Sequence, residues 1–217
     1  MTSQVLQDAI KAHEDFFVAN QEQFQLFLPL WRLLTEGKPV EPGRLALVAH
    51  RSLEEIQALL QSSEVEVDQQ GRFVGFGLSL VPTPHQFHLG EQTFYTWCAL
   101  DTLAFPALLG RTAQVVSMCP ATGTPIRLTV TPTHIEHLSP ASTVVSARNP
   151  VAEDFCHTRA DSCMEGHFFV SREVASAWPS LHPQANLFSV EEAAELGRAL
   201  ASAIRSIAGE QEPQRHS

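Results

Sequence analysis

The sequence predicts an α+β protein, with an N-terminal winged-helix-like helical region followed by a mixed or antiparallel sheet domain flanked by helices. Three observations carry this. Apolar residues recur at helical spacing over most of the first 60 positions; short alternating runs begin at Val65 and again at Ala113; and a capped helical segment follows Ser189 near the end of the chain. Residues 1–80 form the expected helical region, 81–208 the larger domain and 209–217 a polar tail.

Composition narrows the class. With 217 residues, 44% of them hydrophobic and 18% charged, the chain has enough apolar material for a sizeable core. Its formal net charge of −10 is the wrong sign for steering toward phosphate backbones or anionic lipid, so neither nucleic acid nor membrane is an expected partner. The first residues, Met1 to Asp8, lack the basic region and apolar run of a signal peptide, and no later window has the length of a membrane span. The expectation is a cytoplasmic protein.

The elements follow in order. Val5, Leu6, Ile10, Phe16 and Phe17 mark one stripe of a first helix. The run FQLFLPLWRLL gives a second, which Pro29 should kink or restart, and Gly37, Pro39, Pro42 and Gly43 read as a loop. Ser52 and Glu55 form a capping box that divides residues 44–61 into two helices. A hairpin around DQQG, from Val65 to Phe76, completes the order of a winged helix-turn-helix. A DNA-binding role is opposed by the charges: residues 1–90 hold six Lys or Arg against eleven Asp or Glu, with Glu54 and Glu55 on the would-be recognition helix. A packing module or lid is the expected role.

Residues 81–90 read as a linker or short strand; His85 and His88 have metal-compatible spacing but no partners nearby. Thr96 is the expected cap of a helix with Leu100, Leu103 and Phe105 on its apolar face, bent or restarted at Pro106 and ended by Gly110. Strands are expected at 113–118 and 126–131 around a Cys-Pro-Ala-Thr-Gly-Thr turn, with a third at 142–147 and His134 and His137 in a polar crossover between. A short helix and loop over 151–163, a buried strand at 167–170, a short helix after Ser171 and a long helix from Val190, boxed by Ser189 and Glu192, finish the chain.

The chemistry centres on Cys98 and Asp101. At i and i+3 of a helix start they face the same way, so the carboxylate can exchange a proton with the thiol, and the helix dipole would favour the thiolate. The plainer reading is a buried cysteine beside a solvent-facing acid. Four cysteines, at 98, 119, 156 and 163, are too sparse for a disulfide scaffold, which leaves structural, catalytic or metal-binding roles. Cys119, in a turn, reads as structural. Cys156, His157, Cys163 and His167 make a rival zinc cluster, although their spacing departs from the paired signatures of zinc sites.

The run YTWCALDTLAFPALLGRTA, the CPATG hairpin with its PIRLTVTP strand, and a cysteine shortly before His-Phe-Phe together resemble the bacterial organomercurial lyases, or alkylmercury lyases, over about residues 90–208. The resemblance implies an enzyme that cleaves carbon–mercury bonds by protonolysis, with Cys98 and Cys163 holding mercury and Asp101 relaying the proton. It implies no cofactor, turnover dependent on low-molecular-weight thiols, an organomercurial small molecule as substrate and a mercuric reductase as product acceptor. Tyr95, Trp97 and Phe168 are the expected substrate-binding aromatics. The competing class is a non-catalytic thiol-based metal binder or sensor, which would have no need of Asp101.

Overall fold

Ser3 opens the first helix by accepting the Leu6 N–H on its hydroxyl (3.3 Å), and α1 (Gln4–Ala19) then buries Leu6, Ala9, His13, Phe16 and Phe17 along one stripe. The computed structural model describes residues 3–62 (backbone only from 59), 64–150 and 163–210. After Asn20 comes α2 (Gln21–Leu34), then α3 (Pro42–Ala49) and α4 (Leu53–Ser62). The expected capping box starts α4: Glu55 N–H donates to Ser52 Oγ (3.1 Å) and Ser52 N–H to Glu55 Oε2 (2.7 Å).

Prolines and glycines are absorbed more than expected. Pro29 neither restarts nor ends α2, which runs through it unbroken, and Pro106 lies inside a continuous helix as well. In both cases the flanking side chains are buried apolar groups, Leu28, Leu30 and Trp31 around one and Phe105, Ala107 and Leu108 around the other, so packing outweighs the lost backbone bond. Pro42 and Gly43 form the first turn of α3 rather than loop, because proline's missing donor costs nothing at that position.

The strands β1 (Glu66–Val67) and β2 (Phe73–Phe76) are the expected hairpin, continued by β3 (Leu78–Ser79), β4 (His85–Leu89) and β5 (Gln92–Thr96). With β6 (Ala113–Met118), β7 (Pro125–Val130) and β8 (Ile135–Ser139) they make one eight-stranded antiparallel sheet, ordered β1-β2-β3-β5-β4-β6-β7-β8. Residues 85–89 are thus a central strand, the second of the two alternatives expected for 81–90. Neighbours on both sides supply the hydrogen bonds that the alternation, masked by two preceding prolines, left hidden. His85 is buried there, its Nδ1 2.8 Å from Ser117 Oγ, whereas His88 bonds Thr93 Oγ1 at 3.0 Å; being three apart on a strand, they face opposite sides and form no metal pair.

His134 and His137 also lie at or in a strand rather than a crossover. The edge strand β8 has its two apolar residues, Ile135 and Leu138, three apart, and its register against β7 shifts near His137, whose φ is +53°, so no clean alternation marks it. The third expected strand, β9 (Val144–Arg148), leaves this sheet. It lies between β10 (Phe168–Phe169) and β11 (Ala185–Ser189) in a separate three-stranded antiparallel sheet, and β11 had no distinct sequence signal. The expected helix and loop over 151–162 lie outside the described residues.

The helix α5 (Ala99–Leu109) lies on β4, β5, β6 and β7 and is held from above by α7 (Val190–Ile207); a short helix α6 (Trp178–Leu181) precedes β11. Arg205 of α7 donates from Nη2 to the Ala107 and Leu108 carbonyls (2.6 and 2.9 Å), satisfying the open end of α5. Both α1 and α2 pack against α7 in turn. Among the described residues no helix is long and apolar enough to cross a membrane.

Gly197 is what lets α7 reach the backbone of α5: a Cβ there would stand 2.8 Å from the Leu103 carbonyl carbon and 2.9 Å from its oxygen. Gly197→Ala is expected to destabilise the protein by about 1–3 kcal/mol despite alanine's better helix propensity. A lower urea midpoint with an unchanged slope checks this; a midpoint equal to wild type refutes it.

Candidate active site

The backbone turns from β5 into α5 at Trp97 and Cys98. Thr96 does not cap the helix; it ends the strand, and its hydroxyl donates to the Cys98 carbonyl (2.9 Å). Cys98 itself is the N-cap, with extended φ −142° and ψ 171°. The Asp101 N–H donates to Cys98 Sγ (3.4 Å), and the Cys98 N–H donates to Asp101 Oδ2 (3.1 Å). This is a capping box in which a thiol replaces the usual hydroxyl. The spacing that suggested a proton exchange therefore also starts the helix, and it turns the carboxylate inward.

A short 3₁₀ turn, Cys163–Glu165, brings the second thiol. Two bonds fasten it. The Ala99 N–H donates to the Gly166 carbonyl (3.0 Å), tying the turn to the first residue of α5, and Ser146 of β9 donates from Oγ to the Glu165 carbonyl (2.6 Å). Gly166 has no room for a side chain: a Cβ would lie 2.7 Å from Cys98 Cβ and 3.3 Å from its Sγ. One ligating atom each from Cys98, Asp101 and Cys163 fall within 4.8 Å of one another, the one such grouping of three among the described residues.

Burial dominates the electrostatics. It raises the Asp101 carboxyl from 3.8 to about 6, against the hydrogen bonds from the Cys98 thiol and from the backbone that favour its ionised form. The Cys98 thiol is pushed well above its ordinary 9.0, first by its hydrogen bond with Cys163, then by burial and the Asp101 charge. The expectation of a dipole-stabilised Cys98 thiolate is thus overturned: a helix terminus contributes about 1 kcal/mol, too little against burial beside an acid and another thiol.

The three groups lie in the wall of a cavity of about 110 Å³, a volume on the order of a benzene ring's pocket. Trp97 lines it, as expected of a substrate-binding residue. Tyr95 and Phe168 do not: Tyr95 is half-buried on β5, and Phe168 is fully buried on β10. The larger part of the wall was not expected. His13, Phe16 and Phe17 of α1, Phe24 and Trp31 of α2, Phe76 of β2 and Leu200 and Ile204 of α7 complete it. The signal present in the sequence was the density of aromatic residues between positions 16 and 31, which exceeds what two surface helices need.

The rival zinc cluster does not assemble from the residues described. His167 donates from Nε2 to the Met164 carbonyl (3.0 Å), and Cys156 and His157 lie outside the described residues. Cys119 is buried in its turn, where its N–H donates to the Thr124 carbonyl (3.0 Å) and its carbonyl accepts from Gly123 (2.8 Å), the structural place expected of it.

Residues 78–202 match the family model described as alkylmercury lyase, and residues 6–77 match the helix-turn-helix domain of alkylmercury lyase. The alkylmercury lyase of Bacillus cereus is 46% identical over 174 residues, covering 80% of this chain and 79% of its own. That of Staphylococcus epidermidis is 44% identical over 176 residues, 81% of each chain, and that of Pseudomonas putida 43% identical over 182 residues, 83% of this chain and 85% of its own. The crystal structure of the mercury-bound form of MerB2 superposes with a TM-score of 0.73 at 26% identity, covering 90% of this chain and 98% of that one. A thiol-capped helix facing a second thiol and a half-buried acid, in a chain this similar over four-fifths of its length, has one reading: the protein belongs to the alkylmercury lyase family.

Proposed function

We propose that this chain cleaves carbon–mercury bonds by protonolysis, with Cys98 and Cys163 as mercury ligands and Asp101 as proton carrier. The observation that carries the reading is geometric: a half-buried carboxyl group with an oxygen within 4.8 Å of both thiol sulfurs, at the wall of an apolar cavity, its pKa raised by burial to about 6. A metal-binding protein needs the thiols. It has no use for a buried acid poised to change protonation near neutrality.

The steps balance as follows. An organomercurial R–Hg–X enters, its organic group taking up the apolar cavity. One cysteine sulfur bonds to mercury; X leaves with a proton as HX. The second thiol then binds, and its proton passes to the Asp101 carboxylate, which is within reach of both sulfurs. Two thiolates donate electron density to a soft metal and weaken its bond to carbon. Asp101 delivers its proton to that carbon, R–H departs, and Hg(II) stays bridged between the two sulfurs. Because its hydrogen bond with Cys163 and its burial disfavour the Cys98 thiolate, mercury itself supplies the drive to deprotonate the thiols, and Asp101 saves the second proton for the carbon.

In this reading the protein has no resident cofactor, mercury being substrate and product. Low-molecular-weight thiols strip the product ion from the cysteine pair, and a mercuric reductase in the cytoplasm is the acceptor.

With phenylmercury and excess thiol, Cys98→Ser and Cys163→Ser are each expected to lower benzene release by at least about 1000-fold, since an alcohol is a poor ligand for a soft metal. Asp101→Asn should still bind one equivalent of phenylmercury while protonolysis slows by about 10²–10⁴-fold. Stoichiometric mercury retention with no benzene from the wild type would identify a binder instead.

The pH dependence has a definite sign. Asp101 must begin ionised to accept the thiol proton, so kcat/KM should fall as pH drops through about 6. A profile flat from pH 5 to 8 would remove Asp101 from the proton path.

Gly166→Ala should displace Cys98 and cut benzene release by about 100-fold while leaving the far-ultraviolet circular dichroism unchanged. Wild-type turnover in that variant would show that the tight approach has no catalytic weight.

A further inference from the structure

His13 has no part in the steps above, yet it belongs to the same cavity wall as the two thiols. It is buried on α1, with 7% of its surface exposed, and sits beside Phe17 at a ring separation of 6.4 Å. Its Nδ1 lies 2.8 Å from the Ala9 carbonyl. A carbonyl can only accept, so Nδ1 carries the proton and Nε2 keeps its lone pair. Among the described residues Nε2 has no hydrogen-bond partner. A histidine could have been a phenylalanine at a purely apolar position, so its free acceptor sets it apart from the phenylalanines beside it in the wall.

We propose that His13 is a specificity-determining residue, its Nε2 accepting a hydrogen bond from a hydroxyl on the organic group, so that hydroxyaryl mercurials are preferred over otherwise similar aryl mercurials. The inference rests on the lyase reading and extends it to the released group. A volume of about 110 Å³ and walls of Phe16, Phe24, Trp31 and Phe76 fit a single aromatic ring, which meets such walls edge to face. Burial holds His13 neutral, its pKa lowered to about 4, so the ring offers an acceptor and no charge at physiological pH. A phenol hydroxyl, neutral there as well, is a matched donor.

The test compares 3- and 4-hydroxyphenylmercury with the corresponding methoxyphenylmercury compounds, which activate the ring similarly but cannot donate. The readout is the hydroxy-to-methoxy ratio of kcat/KM, measured as arene release with excess thiol. Wild type should show a ratio of about 10 for at least one ring position, falling to near 1 in His13→Phe and returning in part in His13→Gln, which keeps an acceptor. A second measurement needs no variant: in the ¹⁵N-histidine-labelled wild type, the His13 Nε2 resonance should move upfield on saturation with phenol and stay in place with anisole. Equal ratios in wild type and His13→Phe, or identical resonances with both ligands, overturn the role of His13 and leave the lyase reading standing. No arene from any compound would overturn the lyase reading and this inference together.

Discussion

The start of α5 is the constraint around which the molecule is arranged. There the Cys98 thiol and the Asp101 carboxylate cap each other's backbone N–H groups, so the helix cannot begin without placing an acid under a sulfur in the interior. The arrangement is expensive. With its pKa moved from 3.8 to about 6, Asp101 weakens the folded state by about 3 kcal/mol when ionised, a cost that grows as pH rises from the unfolded value and is complete above about 6. The surroundings offset it by rigidity: α5 is clamped between the sheet and α7, Gly197 brings the two helices into backbone contact, and Arg205 closes the far end.

The same constraint explains how the second thiol can be distant in sequence and exact in position. The Cys163 turn is not aligned by its thiol's hydrogen bond with Cys98 alone. Its register comes from the Gly166 carbonyl on Ala99 and from Ser146 holding Glu165, so β9 and α5 fix the turn from both sides. Gly166 is glycine because the Cys98 side chain already occupies the space a methyl group would take.

How much of this was legible in the sequence depends on whether the signal was local. The capping boxes at Ser52 and Ser189, the hairpin at Val65–Phe76 and the terminus at Gly110 are encoded within a few residues and were visible. So was the Cys98–Asp101 pair, whereas Cys163 was assigned through a family resemblance and not through spacing. What stayed hidden was set by tertiary contacts. The strand at 185–189 takes its identity from a neighbour far along the chain, such neighbours also decide between linker and strand at 85–89, and Pro29 and Pro106 sit in helices held by packing. Of the expected aromatics, Trp97 adjoins the reacting groups; Tyr95 and Phe168 were chosen for closeness in sequence, while the wall beyond α5 also draws on residues 13–31 and 200–204. A fold that borrows its pocket from both ends of the chain cannot reveal that pocket in any one window.

The N-terminal helices, with the order of a nucleic-acid reader but an acidic charge, serve as one side of the cavity, and α7 serves as another. This has a consequence for the order in which the protein is made. During synthesis the two thiols and the acid leave the ribosome well before Leu200 and Ile204, so the nascent chain presents a reactive trio without an enclosing chamber. Only when the last helix docks across α5 and α1 does the pocket close. Docking of α7 therefore converts an open thiol pair into an enclosed one, and a chain truncated before α7 would keep the reactive residues but lose the enclosure that distinguishes them from any other exposed cysteines.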